Sequence, residues 1–88
     1  MTRHNGISTL VARLEREKAW PSERRKAARE EVDCSQRELA AALGVAQPTV
    51  TNWERGGGAN GKLRPVYEAY LALLAEFERL AQEIPKPQ

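Results

Sequence analysis

Apolar residues recur along this chain at intervals of three and four rather than two, the spacing that lines one face of an α-helix. Ile7, Leu10, Val11 and Leu14 share such a face and predict a first helix over residues 5–19, with Asn5 or Ser8 capping its start. Pro21 disfavours helix at Trp20, so a break is expected there. A charged second helix is expected over 22–32, capped by Ser22, with only Ala27, Ala28 and Val32 apolar. Ser35 and Glu38 have the spacing of a capping box and open a third helix over 36–43, with Leu39, Ala40 and Leu43 inward. Gly44 supplies the left-handed residue that ends it. Pro48 fits the first turn of a fourth helix over 47–55, whose inner pair is Val50 and Trp53. Residues 56–61 (Gly-Gly-Gly-Ala-Asn-Gly) predict a flexible loop. A last helix is expected over 65–84, stopped by Pro85 and Pro87. Its apolar side is Val66, Tyr70, Leu73, Leu74, Phe77, Leu80, Ala81 and Ile84. Period-two runs of β-branched residues are missing, so the fold class is all-α.

Length and composition narrow the function classes. Eighty-eight residues make one domain with a small core and no interior for a large cofactor. Charged residues at 30% and apolar ones at 41% read as globular rather than disordered. No apolar run nears the roughly 20 residues that span a bilayer, and the N-terminus lacks an apolar signal core, so a cytoplasmic location is expected. One cysteine and one histidine exclude an internal disulfide and most zinc arrangements. No nucleophile–base pair or supported carboxylate pair stands out, so no catalytic residue is named and an enzyme is not expected. Cofactor, metal, membrane and small-molecule ligand are likewise not expected.

The net charge of +2 is uneven. Residues 1–31 hold eight Lys/Arg against five Glu, whereas residues 63–88 hold three basic and four acidic residues. The basic N-terminal part and a pI near 9.0 point to a polyanionic partner or to a solvated charged face. For Arg24-Arg25-Lys26 the same two readings stay open, phosphate contact or a solvated helix start.

Two short helices joined by Gly44-Val45-Ala46 are the most informative feature. Helix, tight glycine turn, helix is the recipe of a helix-turn-helix, and Ala40 is small where the second helix must cross close by. Leu39, Leu43, Val45, Val50 and Trp53 are expected to close a shared core. That leaves Gln47, Pro48, Thr49, Thr51, Asn52 and Arg55 outward, a polar, short-chained face whose amides and hydroxyls suit the base edges of a major groove.

The stretch from Ser35 to Gly56 reads Ser-Gln-x-x-Leu-Ala, then Leu-Gly-Val, then Thr-Val, then Trp-Glu-x-Gly. It resembles the Cro/repressor-type helix-turn-helix family, the xenobiotic-response-element group of prokaryotic and phage regulators. The resemblance implies a compact five-helix, lambda-repressor-like domain over residues 1–88. Its parts would be an added N-terminal helix (1–21), a helix-turn-helix core (22–62) and a long C-terminal helix (63–88). It implies that Gln47, Pro48, Thr49 and Asn52 face bases. Gln36 would touch a phosphate and brace the reading helix. Thr51 and Arg55 would lie towards the flanks, and Asn60, Lys62 and Arg64 would approach the backbone. Arg24 and Arg25 join this phosphate set through their charge. Arg29 and Glu54 would form a partly buried ion pair. Three departures stand out. Ala46 replaces the usual capping Ser or Thr, Pro48 replaces a commonly polar residue, and Cys34, a small core residue here, replaces a Leu.

The expected function is sequence-specific binding of a double-stranded DNA operator by a small transcriptional regulator, a repressor rather than an activator. The alternative is a protein-interaction module such as an antitoxin, with DNA binding auxiliary. A homodimer is expected, because one reading helix covers too few base pairs to single out an operator. Its seam would be Leu73, Phe77, Leu80 and Ile84, unless the first helix covers that stripe within one chain.

Overall fold

The computed structural model describes residues 5–83. Five α-helices carry the fold: α1 (Asn5–Ala19), α2 (Ser22–Glu30), α3 (Gln36–Leu43), α4 (Gln47–Glu54) and α5 (Arg64–Glu83), with a 3₁₀ turn at Gly61–Leu63 before α5. Among the described residues there is no strand, and no helix is long and apolar enough to cross a membrane.

Each boundary has a local cause. Pro21, in extended conformation, occupies the N-cap of α2, and Ser22 becomes the first helical residue. No side chain caps that end, which corrects the expectation of a Ser22 cap. Asp33 (φ 55°) ends α2: Cys34 N–H donates to the Arg29 carbonyl at 3.2 Å and Asp33 N–H to that of Glu30 at 3.0 Å. This is a Schellman turn on a residue that tolerates the left-handed region, and it stops α2 two residues short of the expected end. Gly44 (φ 72°) closes α3 the same way, with Val45 N–H donating to the Ala40 carbonyl at 3.0 Å.

The core lies between α5 and the α2–α4 unit. Trp53, Tyr67 and Tyr70 form its aromatic centre. The Trp53 ring meets Tyr67 edge-on at 5.4 Å and Tyr70 at 5.1 Å. Ala28, Leu39, Ala40, Val50, Leu71 and Leu74 surround them, and Trp20 closes one end. The stripe of α5 sits one residue further round than expected. Tyr67 and Leu71 are buried, whereas Val66, Leu73 and Phe77 are half-buried against the same core. Two neighbouring faces of α5 are apolar, so periodicity alone does not choose the centre. Packing chooses Tyr67, whose ring meets Trp53 and whose hydroxyl meets Arg25.

The Tyr70 hydroxyl is buried without a hydrogen-bond partner, and burial pushes its pKa up to about 12. Tyr70→Phe removes that desolvated group at nearly constant shape. It is therefore expected to hold or raise stability by up to about 1 kcal/mol. A thermal melt showing a clear loss would contradict this.

α1 departs from a compact arrangement. Ile7 and Leu14 are 63% and 53% exposed, and Leu10 and Val11 are exposed as well. Among the described residues, the apolar stripe of α1 thus does not cover α5. α1 meets the body near its C-terminal end through charged groups: Arg16 pairs with Glu68, and Glu17 pairs with Arg64 at 3.3 Å. The described residues accordingly extend 54 × 28 × 18 Å. Ile84, expected at the end of the α5 stripe, lies outside them.

Candidate nucleic-acid interface

The helix pair α3–α4 is built to hold one face of α4 outward. The Ser35 hydroxyl accepts from Glu38 N–H at 3.0 Å, and Ser35 N–H donates to Glu38 Oε1 at 2.9 Å, completing the capping box of α3. The Ser35 N–H first, and the Ser35 hydroxyl second, hold the Glu38 carboxyl below the usual carboxylate range. The Gly44 turn then starts α4 at Ala46, which makes no side-chain cap bond, with Pro48 in the first turn. Val50, Trp53 and Glu54 are buried on its inner side. At its far end Gly56 (φ 102°) and Gly57 form a third Schellman turn, Gly57 N–H donating to the Asn52 carbonyl at 3.0 Å. A Cβ on Gly57 would stand 2.9 Å from the Asn52 carbonyl oxygen and closer still to the Asn52 side chain, so glycine lets the loop turn away at that backbone.

The outward face carries Gln47, Pro48, Asn52 and Arg55, all exposed, with Thr49 and Thr51 half-buried at its edges. Gln47, Pro48, Thr51, Asn52 and Arg55 line one shallow concavity there. Four of these five side chains are uncharged, so the surface offers directional amide and hydroxyl groups.

A polar network sets the roll of α4 against its neighbours. Arg29 grips Glu54 with both arms of its guanidinium, Nε to Oε2 at 2.6 Å and Nη2 to Oε1 at 2.8 Å, and Nη1 donates to the Cys34 carbonyl at 2.8 Å. Gln36 Nε2 donates to Glu54 Oε1 at 3.0 Å, while Gln36 Oε1 accepts from the Thr51 hydroxyl at 2.9 Å. Arg29 and Glu54 are both more than nine-tenths buried. The Arg29 guanidinium holds the Glu54 carboxyl below its ordinary range against the opposing effect of burial. α2, α3 and α4 are thereby tied at one point, behind the outward face.

Arg25 is placed elsewhere than its charge suggested. It is 2% exposed. Its Nε donates to the Trp20 carbonyl at 2.7 Å, Nη1 to the carbonyls of Trp53 at 2.7 Å and Gly57 at 2.9 Å, and Nη2 to the Tyr67 hydroxyl at 2.9 Å. Four of the five N–H donors of an arginine are consumed. The expectation of a phosphate contact from Arg25 therefore gives way to an internal role. No carboxylate pairs with it among the described residues. Its charge sits among carbonyls at the C-terminal end of α4, where the helix dipole favours a cation. The spacing 25, 28, 29, 32 carried the signal, since it puts Arg25 on the same face of α2 as Ala28 and Arg29.

Two further expected phosphate ligands are engaged inside the chain. Arg24 stacks 3.9 Å over the Trp20 ring and makes two 2.8 Å bonds to Glu78, joining α2 to α5. Arg64 pairs with Glu68 at 2.6 Å and with Glu17. Arg55, Asn60 and Lys62 are exposed, and Arg55 and Lys62 have no ion-pair partner among the described residues. Of the expected seam residues, Leu73 and Phe77 pack on their own core and Leu80 is exposed. No cluster of metal-binding side chains occurs among the described residues.

A helix-turn-helix family model matches residues 26–60, which run from the middle of α2 to the loop before α5. No curated protein and no solved structure matches the chain.

Proposed function

Residues 26–60 belong to the Cro/repressor-type helix-turn-helix family of DNA-binding regulators, and from that premise we propose that the chain reads an operator in double-stranded DNA and represses transcription by occupying it. The observation that carries this reading is the outward face of α4, polar and exposed, on a helix locked from behind by Val50, Trp53 and the Arg29–Glu54 network. Gln47 and Asn52 present amides to base edges, Thr49 adds a hydroxyl, and Pro48 offers an apolar surface for a thymine methyl. Thr51, Arg55, Asn60 and Lys62 meet phosphates on the flanks. Gln36 keeps one amide proton for a phosphate while bracing Thr51 and Glu54. Its place of action is the compartment that holds the genome, the cytoplasm of a prokaryotic cell.

Gln47→Ala and Asn52→Ala are each expected to cost about 1–3 kcal/mol of discrimination between operator and scrambled duplex while leaving the fold intact. A gel shift against the DNA upstream of its own gene, repeated with both variants, checks this. Unchanged discrimination in two folded variants would reject the face.

The reading includes a homodimer, its reading helices one DNA turn, about 34 Å, apart on two half-sites. Exposed Leu80 and the outer edges of Leu73 and Phe77 form the self-complementary patch on α5. Leu80→Glu, outside the core, is expected to yield a folded monomer with weaker operator binding. Wild-type protein sedimenting only as a monomer above its operator affinity would remove the dimer.

The exposed apolar stripe of α1 supports a second reading, an interaction module such as an antitoxin with auxiliary DNA binding. Absence of any shifted duplex in the same gel would favour it.

A further inference from the structure

The loop that leaves α4 is flanked on its two sides by different elements. On one side, Gly57 lies against Asn52 of the outward face. On the other, a Cβ on Gly58 would stand 3.7 Å from Glu17 Oε1, so the loop runs directly beside α1. Arg13, Leu14 and Glu17 of α1 enclose a concavity together with Gly58, Ala59, Asn60 and Arg64. The surface is therefore continuous from α4, through the loop, onto α1.

Charge in this concavity is unbalanced. Glu17 and Glu68 are engaged by Arg64 and Arg16. Arg13, half-buried at the rim, has no carboxylate partner among the described residues. One surplus cation thus sits beside Asn60, in a depression with its other charges matched and its loop wall rich in glycine. Such a site suits a single anionic group of a polyanion that already follows the outward face of α4.

We propose that α1 extends the DNA contact beyond the helix-turn-helix, with Arg13 neutralising a backbone phosphate seated against the loop at Gly58–Asn60. The inference rests on the DNA-reading function above and adds a contact from outside residues 26–60. It also gives α1 a role that its apolar stripe does not explain.

The test is the salt dependence of binding to a duplex recovered by selection from a random-sequence library, followed by fluorescence anisotropy. Arg13→Gln keeps helix propensity and removes the charge, Arg13→Lys keeps the charge, and Arg79→Ala removes an α5 cation that pairs with Glu76 and Glu83. Log affinity falls with log salt with a slope of about −0.9 for each neutralised phosphate. The magnitude of that slope should drop by about 0.9 in Arg13→Gln, on selected and scrambled duplex alike. Arg13→Lys and Arg79→Ala should retain the wild-type slope. A wild-type slope in Arg13→Gln would overturn the contact and leave the reading face standing. A wild-type chain that selects no duplex would overturn both.

Discussion

Arg25→Leu is expected to destabilise the protein by about 3 kcal/mol, although the substitution removes a charge from the interior. The charge is not the main loss. Three carbonyls and the Tyr67 hydroxyl accept from this one guanidinium, and leucine takes that donor from all four, leaving only the Trp53 carbonyl with a second one, the Gly56 N–H at 2.9 Å. Each buried orphan costs about 1–3 kcal/mol, partly offset because a cation no longer has to be desolvated. Arg25→Lys keeps the charge but has three donors on a flexible stem for acceptors spread around a rigid fork, so an intermediate loss is expected. Urea unfolding of both variants checks the order. Stability of Arg25→Leu within experimental error of wild type would show that water or repacking serves those acceptors. Because two of the four acceptors are Trp53 and Gly57 backbone, the variant should also loosen the C-terminal end of α4 and the loop after it. Hydrogen exchange there is expected to quicken before the rest of the domain is affected.

Breaking the Arg29–Glu54 pair should cost still more, about 3–5 kcal/mol for Arg29→Met, because a carboxylate then stays buried with Gln36 as its remaining partner. Glu54→Gln is expected to cost less, since the amide oxygen still accepts from the guanidinium. A double-mutant cycle measures the coupling, and a value near zero would reject the pair as a stabilising unit. The pH dependence follows from the sign of the shift. Arg29 depresses the Glu54 carboxyl in the folded state, so folding binds it deprotonated. Its contribution is fully present above the unfolded value of about 4.3 and is lost as pH falls through the lower folded value. Acid unfolding of Glu54→Gln should therefore show a shallower limb than wild type in that window. An identical limb would assign the acid sensitivity to other depressed carboxylates, of which Glu78 beside Arg24 is one.

On the proposed reading the outward face of α4 is the functional surface, and the interior network holds that face in place. Many of the cations serve that scaffold and not the face. Arg25, Arg29, Arg24 and Arg64 all serve carbonyls or carboxylates of the same chain, leaving Arg13, Arg55 and Lys62 among the cations available to a partner.

Much of the architecture is set by local chemistry and so is legible in the residues themselves. The capping box at Ser35 and Glu38, the left-handed Gly44, the break at Pro21 and Pro48 in a first turn act within a few residues. Their outcome does not depend on distant packing. The outward position of Gln47 and Asn52 follows from the same helical spacing once Val50 and Trp53 turn inward. Four features waited for tertiary structure. Which of two apolar faces of α5 is buried depends on Trp53 and Arg25 arriving from other helices. Whether Arg25 faces water or carbonyls depends on where α4 ends. Whether Arg24 and Arg64 keep free charges depends on Glu78 and Glu17, which reach them from other helices, whereas the Arg64–Glu68 pair is an i,i+4 contact within α5. Whether α1 covers α5 depends on a connection at Trp20 and Pro21 that directs α1 away, leaving it held by ion pairs instead of its apolar stripe. Periodicity says which residues share a face, and only the meeting of faces says which of them are buried.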